Sequence, residues 1–261
     1  MNGPADGTPG PAELPPADVP GQAADDPRGL AAKPLATAAA VFGPALPLAE
    51  RYACLLAGPG IVRGLIGPRE ADRLWERHLL NCAVVAELVP RPSSLVDIGS
   101  GAGLPGIVLA MLLPDVRVTL LEPMARRVEF LDECRAALGL RNVTVLRGRA
   151  EEVAGEFSAD VVTARAVAPL GRLAGLAVPL LRPGGTVLAL KGEQAAAEAA
   201  AARAELRRLG VSDVAVLRAG TGRIDPATTV IRLIAGPRRG RAGGPRPAAT
   251  DRRDPRHRRK A

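Results

Sequence analysis

The stretch DIGSGAGLPG, which runs from Asp97 to Gly106, combines an acid with four glycines. Gly101, Gly103 and Gly106 match the nucleotide-binding pattern G-x-G-x-x-G. Glu122 follows Gly101 by 21 residues, which is where such sites place an acid that binds ribose hydroxyls. Glycines let the main chain approach a ligand because no Cβ stands in the way. The spacing therefore predicts a nucleotide-type ligand, and by itself it is compatible with NAD.

Two residues of this stretch favour a ligand without phosphate. The Asp97 carboxylate would repel a pyrophosphate, and Pro105 has no N–H to offer an anion at the start of a helix. S-adenosylmethionine carries a sulfonium and an ammonium group, which tolerate a nearby acid, and a ribose diol, which needs an acceptor. We therefore expect S-adenosylmethionine, with Asp97 under its amino-acid end and Glu122 on its ribose. The alternative is that Asp97 only caps main-chain amides and Glu122 ends its strand in solvent.

A sheet must position these residues, because segments with strand and helix patterns alternate along the chain. The predicted strands are SLVDIG, VRVTLLE, NVTVLRG, ADVVTAR, GGTVLAL, DVAVLRA and TTVIRLI. The predicted helices cover about residues 45–57, 70–89, 103–113, 124–138, 169–180 and 193–209. The alternation predicts an α/β fold with a doubly wound, mostly parallel, seven-stranded Rossmann-like sheet and N-terminal helices. A short Gly-rich link predicts that the last two strands are antiparallel.

The composition places this folded part between two tails. The chain has 261 residues, 47% of them hydrophobic, which is enough for one core. We expect the Pro-, Gly- and Ala-rich residues 1–34 to be disordered, followed by a helical region at 35–92 and, at 93–235, the domain that contains the predicted sheet and its ligand site. Residues 236–261 hold nine Arg and one Lys against two Asp, which accounts for the net charge of +8. This basic tail is either an RNA-binding extension or a solvated one.

Several function classes fit the composition poorly. Aromatic residues make up only 2% of the chain, so base stacking on rings is not the obvious way to bind RNA. The three cysteines are widely spaced and no His cluster accompanies them, which predicts no metal site and a reducing cytoplasm. No apolar run approaches the ~18 residues of a membrane span. We expect a cytoplasmic monomer that does not bind membranes.

Six segments of the chain resemble one family, in the same order. They are ERHLLNC, DIGSGAGLPG, LLEP, RAEEV, DVVTARAVA and RPGGTVLALKG. Together they resemble the bacterial 16S ribosomal RNA guanine-N7 methyltransferases, also called the glucose-inhibited division protein B family, over about residues 45–235. The extension GLPG and the strand end ARA are more specific than the general methyltransferase pattern. The segment AGPGIVRGLIG and the Asn-Cys of RHLLNC depart from the family's usual residues, in a region that would meet the substrate.

The resemblance implies roles for particular residues. The cofactor-binding residues that it implies are Gly99, Gly101, Gly103, Leu104, Glu122, Ala150, Glu151 and Arg165, with Ala150 and Glu151 flanking the adenine. The reasoning from charge adds Asp97 to this set. The RNA-binding candidates are Arg77, His78, Arg127 and Lys191. Arg165 would also lie where the substrate enters, at the carboxyl end of the fourth predicted strand.

The implied reaction needs no general base, because guanine N7 is an acceptor with no proton to lose. This agrees with a folded region in which His78 is the one histidine. Since positive charge moves from sulfur to the purine, we expect Arg165 and Lys191 to position the substrate by holding phosphate rather than by touching the ring. The alternatives are a methyltransferase with another acceptor, an NAD(P)-dependent oxidoreductase and a non-catalytic RNA-binding protein.

Overall fold

A computed structural model describes the chain from residue 36 to residue 237. The predictions for residues 1–34 and for almost all of the basic tail lie outside these residues. One sheet contains the strands β1 (Ser94–Ile98), β2 (Arg117–Glu122), β3 (Val143–Arg147), β4 (Ala159–Arg165), β5 (Leu181–Lys191), β6 (Val211–Ala219) and β7 (Thr228–Ala235). All seven predicted strands are therefore present.

The strand order is β3-β2-β1-β4-β5-β7-β6. Strands β1 to β5 pair in parallel, and β7 lies antiparallel between β5 and β6. The doubly wound, mostly parallel sheet and its antiparallel last pair are thus confirmed. The direction in which successive strands are added reverses between β1 and β4, and ligands of such sheets bind beyond the carboxyl ends of the strands at this point.

Helices cover both faces of the sheet. In residues 36–237 the α-helices are α1 (Ala36–Phe42), α2 (Leu46–Leu55), α3 (Leu80–Ala83), α4 (Gly106–Leu112), α5 (Ala125–Leu138), α6 (Leu170–Ala177) and α7 (Ala195–Arg208). Short 3-10 segments occur at Gly43–Ala45, Pro68–Arg73, Val84–Leu88 and Val178–Leu180, and wider π-helical turns at Leu56–Gly60 and Leu74–Leu79. None of these described helices is long and apolar enough to cross a membrane.

The helix predicted over about residues 70–89 is present, but it is not one regular α-helix. The chain there is helical but changes from 3-10 to π to α and back to 3-10. Leu74, Trp75, Leu79 and Leu80 are all buried. On a regular α-helix these four residues would spread too widely around the axis to share one narrow face. A π turn instead brings residues that are five apart close to one another. The wide turn therefore lets all four side chains face the core.

The helix predicted from residue 103 begins at Gly106 instead. Gly103 has a φ of +99°, a value outside the right-handed helical region. The three residues before the helix therefore belong to a turn, which leaves main-chain groups of that turn at the carboxyl end of β1. This difference matters for the site, because the residues in the turn are those predicted to meet the cofactor.

Two apolar clusters hold the layers together. Leu95 of β1 faces a cluster formed with the N-terminal helices, α4 and α5, whereas Val96 faces a cluster formed with α6 and α7. Successive strand residues point to opposite faces, so the sheet is buried on both sides. The N-terminal helices share the first cluster with the sheet, and this packing brings their polar side chains to the carboxyl ends of the strands.

The last hairpin of the sheet also contacts the N-terminal segments. The Gly220 N–H donates to Oε1 of Glu87 at 2.8 Å, and the Thr228 hydroxyl donates to the main-chain oxygen of Asn81 at 3.2 Å. These bonds join the loop between β6 and β7, and the start of β7, to the segment that follows the π turn Leu74–Leu79. That segment is therefore held from both the sheet and the hairpin.

Candidate active site

The glycine turn, which we define as residues 99–105 between β1 and α4, has a main-chain path that favours glycine. Positive φ values occur at three of its residues, which are Gly99 (+62°), Gly101 (+58°) and Gly103 (+99°). A Cβ on Gly103 would lie 2.8 Å from the Tyr52 hydroxyl. A Cβ on Gly106, just after the turn, would lie 2.8 Å from Oδ2 of Asp97. Larger residues at these two positions would therefore displace the polar groups of the site.

Asp97 is fully buried beneath the glycine turn. Its Oδ1 accepts a hydrogen bond from the Thr163 hydroxyl at 2.7 Å, and its Oδ2 accepts one from the Gly106 N–H at 3.2 Å. Asp97 and Thr163 are register partners on β1 and β4. Burial raises the pKa of Asp97 to about 7, and its hydrogen bonds oppose that rise. A nearby cation would favour the ionised form of this carboxyl group.

Glu122 closes the other side of the glycine turn. It ends β2, is 1% exposed, and accepts the Gly101 N–H on Oε2 at 3.0 Å and the Met124 N–H on Oε1 at 3.0 Å. The guanidinium of Arg127 lies 3.7 Å from Oε2. An ionised carboxylate offers about four acceptor positions, so two hydrogen bonds leave room for hydroxyl donors. Glu122 does not end in solvent, contrary to the alternative raised from the sequence.

Tyr52 links the N-terminal helices to the glycine turn. Its hydroxyl, carried by α2, donates to the main-chain oxygen of Ala102 at 2.6 Å in a fully buried contact. Burial raises the pKa of this phenol well above its ordinary value, which keeps it neutral and able to donate. The turn is thus supported by a side chain from outside the sheet. Sequence reasoning did not identify Tyr52.

The residues predicted to flank an adenine lie beyond Glu122. Ala150 is buried in the apolar cluster that also contains Leu121 and Val153, and Glu151 next to it is exposed. The Gly148 N–H donates to the main-chain oxygen of Glu122 at 3.3 Å, which ties the loop after β3 to the end of β2. This placement is compatible with an adenine that extends from a ribose at Glu122. Leu104, also predicted for the cofactor, is buried in the glycine turn.

A second feature, the basic cleft, lies at the carboxyl ends of β4 and β5 and has a volume of about 530 Å³. The polar side chains that line it include Glu70, Arg77, His78, Asn81, Arg165 and Lys191. Most of these residues come from the N-terminal helical segments, and two come from strand ends that the sequence marked as candidates. The cleft and the glycine turn are adjacent, because a Cβ on Gly99 would lie 3.1 Å from the Val167 side chain in the loop after Arg165.

Arg165 is held inside the basic cleft by uncharged groups. One terminal nitrogen donates to Nδ1 of His78 at 2.5 Å and to the main-chain oxygen of Arg77 at 3.2 Å. The other contacts the thiol of Cys82 at 3.6 Å. The next residue, Ala166, has a φ of +55°, the one positive value at a non-glycine position within residues 36–237. Such strained conformations persist where the surrounding structure holds them, often at functional sites.

Lys191 forms an ion pair and a main-chain hydrogen bond that the sequence did not predict. Its ammonium group lies 2.8 Å from Oε1 of Glu198 on α7 and donates to the main-chain oxygen of Ala168 at 3.0 Å. The same oxygen of Glu198 accepts the Leu170 N–H at 2.7 Å. Lys191 therefore ties the loop after β4 to α7, and its charge is already paired.

The structure brings Arg77, His78, Arg165 and Lys191 to one cleft, whereas it places Arg127 beside Glu122. Within residues 36–237, no group of His, Cys, Asp and Glu side chains could hold a metal ion. Sequence reasoning missed Thr163, although a polar residue in each of two apolar strands, here Asp97 and Thr163, was a usable signal. No local pattern pointed to Glu70, Cys82 or Glu198, whose functions depend on contacts made in the folded chain.

Comparison with known proteins places these features in a family. The GidB family model, described as rRNA small subunit methyltransferase G, matches residues 45–225. The ribosomal RNA small subunit methyltransferase G of Thermobifida fusca is 62% identical over 193 residues, which cover 74% of this chain and 81% of that protein. The protein of the same name from Streptomyces coelicolor is 54% identical over 226 residues, which cover 86% of this chain and 87% of that protein.

Solved structures with a similar fold are more distant. An S-adenosylmethionine-dependent O-methyltransferase from Thermotoga maritima has 17% sequence identity and a TM-score of 0.49, covering 61% of this chain and 66% of that chain. A precorrin-6y C5,15-methyltransferase from Geobacter metallireducens has 19% identity and a TM-score of 0.47, covering 63% of this chain and 92% of that chain.

Proposed function

The chain belongs to the GidB family of rRNA small subunit methyltransferases G, and from this premise we propose that it transfers a methyl group from S-adenosylmethionine to N7 of a guanosine in 16S ribosomal RNA. The observation that carries the proposal is the closeness of two features. The glycine turn, beside two buried carboxylates, approaches Val167, which follows Arg165 of the basic cleft by two residues. This closeness would allow a methyl donor at the turn to reach an acceptor base in the cleft.

The residues in and beside the glycine turn fit S-adenosylmethionine. Glu122 has acceptor positions left for ribose hydroxyls after its two main-chain bonds. Asp97, buried and with a raised pKa, would be stabilised in its ionised form by the ammonium and sulfonium groups. When bound, the donor supplies an electrophilic methyl group on a positively charged sulfur. The roles of Gly99, Gly101, Gly103, Leu104, Ala150 and Glu151 in holding it belong to this proposal. Arg165, which the resemblance also implies for the cofactor, is assigned here to the acceptor side because it lines the basic cleft.

The chain's own residues then have to align the acceptor and exclude water. Guanine N7 carries no proton, so none of them has to remove one. His78 and Glu70 already bond each other and are not poised as free bases. Alignment of reacting groups is worth about 7–11 kcal/mol in favourable cases, and this is the contribution we assign to the cleft. Because the purine becomes positive, Arg165 serves the reaction best by binding phosphate at a distance from the ring.

The target guanosine has to leave an A-form stem or lie in a loop. The N7 edge faces the deep and narrow major groove, which side chains do not enter. Displacing a base from its stack costs a few kcal/mol. A cleft of about 530 Å³ is large enough for one base. We propose that the cleft receives a displaced or looped-out guanosine.

The test is methyl transfer to three substrates: naked 16S RNA, isolated small ribosomal subunits and intact ribosomes. Labelled S-adenosylmethionine supplies the methyl group, and mass spectrometry of RNA fragments locates the product. We expect 7-methylguanosine at one position in at least one substrate. Calorimetry with S-adenosylhomocysteine and NADH accompanies it: binding of NADH but not of S-adenosylhomocysteine would favour an oxidoreductase, and RNA binding without any cofactor effect would favour a non-catalytic RNA-binding protein.

The remaining expectations also belong to the proposal. We infer a cytoplasmic monomer that acts on the small ribosomal subunit or its RNA, with a helical region at 35–92 and a methyltransferase domain at 93–235. The three cysteines form no disulfide within the described residues, and burial raises the pKa of the Cys82 thiol to about 11. Neither observation conflicts with a reducing compartment. Light scattering of the purified chain tests the monomer.

A further inference from the structure

The group Glu70–His78–Arg165 connects three segments around the basic cleft. Glu70 lies in the 3-10 segment Pro68–Arg73, His78 in the π turn Leu74–Leu79, and Arg165 at the end of β4. Nε2 of His78 lies 2.8 Å from Oε2 of Glu70, and Nδ1 of His78 lies 2.5 Å from a terminal nitrogen of Arg165. The imidazole thus spans the space between the acid and the guanidinium.

The partners of His78 fix its protonation. A guanidinium only donates, so Nδ1 of His78 must carry a lone pair and accept from Arg165. A carboxylate only accepts, so Nε2 must carry the proton and donate to Glu70. Burial, followed by the charge of Arg165, holds the pKa of His78 below its ordinary value, although Glu70 opposes the shift and Arg77 adds to it. His78 is therefore neutral, which removes it from the set of cations expected to hold RNA phosphate.

The groups around Arg165 leave its charge uncompensated. Its acceptors are a neutral imidazole, a main-chain oxygen and a thiol that burial keeps protonated. Within residues 36–237 the carboxylates in salt bridges pair with other cations and none pairs with Arg165. Lys191 offers the contrast, because Glu198 lies 2.8 Å from its ammonium group. A cation that is oriented without being neutralised can attract an anion such as a phosphate.

We propose that His78 is a positioning residue, whose lone pair on Nδ1 orients the Arg165 guanidinium toward the phosphate of the acceptor RNA without neutralising its charge. Glu70 contributes indirectly, since its bond to Nε2 keeps the proton on the nitrogen that does not face Arg165. This inference rests on the proposed function, because Arg165 has a phosphate to bind only if the cleft receives RNA.

Two substitutions separate the contact with Arg165 from the contact with Glu70. His78→Asn places an amide oxygen near the position of Nδ1 and can still accept from Arg165. His78→Gln places an amide N–H near the position of Nε2 and can still donate to Glu70, but it leaves the Arg165 side without an acceptor. We expect His78→Gln to lower kcat/KM for the RNA substrate about tenfold to hundredfold, the size expected for a lost hydrogen bond to a charged group. We expect His78→Asn to recover most of that loss.

Further measurements exclude a general effect on the fold. The affinity for S-adenosylhomocysteine and the thermal midpoint of both variants should stay near those of the wild type. The matched control is Arg135→Ala, which breaks an exposed pair with Asp132 on α5 and should leave activity unchanged. If His78 acts through Arg165, His78→Gln should cause no further loss in an Arg165→Ala background, whereas a merely structural histidine would cause an additive loss.

The possible outcomes test the proposed function and the positioning role of His78 separately. A wild-type chain that methylates none of the three RNA substrates overturns the proposed function. Wild-type activity combined with equal losses in His78→Asn and His78→Gln, or with additive losses in the double variant, overturns the positioning role of His78 and leaves the proposed function intact. Selective loss in His78→Gln that disappears in the Arg165→Ala background supports the proposal.

Discussion

The glycine turn and the basic cleft lie at neighbouring strand ends, and their polar groups are held in different ways. The carboxylates of the turn, Asp97 and Glu122, are 0% and 1% exposed and take main-chain N–H groups as partners. In the cleft, Arg165 and Lys191 are only partly buried and are held mostly by side chains from other segments. The groups at the turn are held by main-chain bonds and by the fully buried Tyr52 and Thr163, whereas those of the cleft depend on partly exposed side chains. We therefore expect substitutions to be tolerated less well at the turn than in the cleft.

The largest expected effect comes from a side chain added just after the glycine turn. Gly106→Ala places a Cβ 2.8 Å from Oδ2 of Asp97 and close to the buried Leu120. We expect a loss of about 1–3 kcal/mol in the free energy of unfolding and of nearly all cofactor affinity, because overpacking would displace Asp97. Calorimetry with S-adenosylhomocysteine and thermal unfolding measure both.

The matched control is Gly175→Ala in α6, where a Cβ would have nothing within 4 Å. Alanine is favoured over glycine inside a helix by about 1 kcal/mol, so this variant should be as stable as the wild type or more so. Equal cofactor affinity in the two variants would mean that the turn tolerates more than its packing suggests.

The next largest effect tests the cleft. Arg165→Ala removes a cation that forms no salt bridge with the carboxylates of residues 36–237, and we expect kcat/KM for RNA to fall by about a hundredfold while cofactor affinity stays close to that of the wild type. Steady-state kinetics on the best RNA substrate measures the loss. The Arg135→Ala control should retain wild-type rates. A tenfold loss of cofactor affinity in Arg165→Ala would show instead that the two regions share this residue, as the family resemblance implies.

An effect of intermediate size is the pH dependence of cofactor affinity, which we expect from Asp97 beside the glycine turn. The pKa of Asp97, raised to about 7 by burial, means that a cationic ligand must displace a proton from this group at lower pH. We expect the affinity for S-adenosylmethionine to fall by up to about tenfold per pH unit below pH 7 and to level off above it. In Asp97→Asn the affinity should be weaker and insensitive to pH over this range. Calorimetry from about pH 5.5 to about pH 8.5, on either side of that pKa, would detect the difference.

The raised pKa of Asp97 gives the stability of the ligand-free protein the opposite dependence on pH. A raised pKa means that the folded state binds the proton more tightly than the unfolded state does. The contribution of Asp97 to folding is therefore present below its ordinary pKa and is lost as the pH rises through about 7. The ligand-free protein should gain stability relative to Asp97→Asn as the pH falls from about 8 to about 6. Denaturant unfolding at these two pH values measures the change.

The smallest expected effect on activity comes from Lys191 and sharpens the contrast within the cleft. Lys191→Met breaks the contacts with Glu198 and Ala168, and we expect a loss of about 1.5–3 kcal/mol in unfolding free energy, typical of hydrogen bonds to charged groups. Because Glu198 already pairs with this charge, the fall in kcat/KM for RNA should be only a few-fold. Glu198→Gln is the companion variant. A loss with Lys191→Met as large as that with Arg165→Ala would return Lys191 to the RNA-binding residues.

The difference between the two regions also explains what the sequence could predict. The strands, the glycine turn and Glu122 follow local rules of periodicity and spacing, and all were predicted. The pairing of Asp97 with Thr163 required only the additional knowledge that β1 and β4 are neighbours. The bond between His78 and Arg165 joins residues 87 positions apart. His78 lies in a π turn that no local sequence pattern predicted. Its partners could be found only in the folded chain.

The contacts between the last hairpin and the N-terminal segments have a consequence for biosynthesis. Glu87 and Asn81, close to one wall of the basic cleft, take their partners from Gly220 and Thr228. A nascent chain that has not yet emerged through β7 lacks these supports. The basic cleft, which is lined by both Asn81 and Thr228, is thus completed only once β7 has been synthesised.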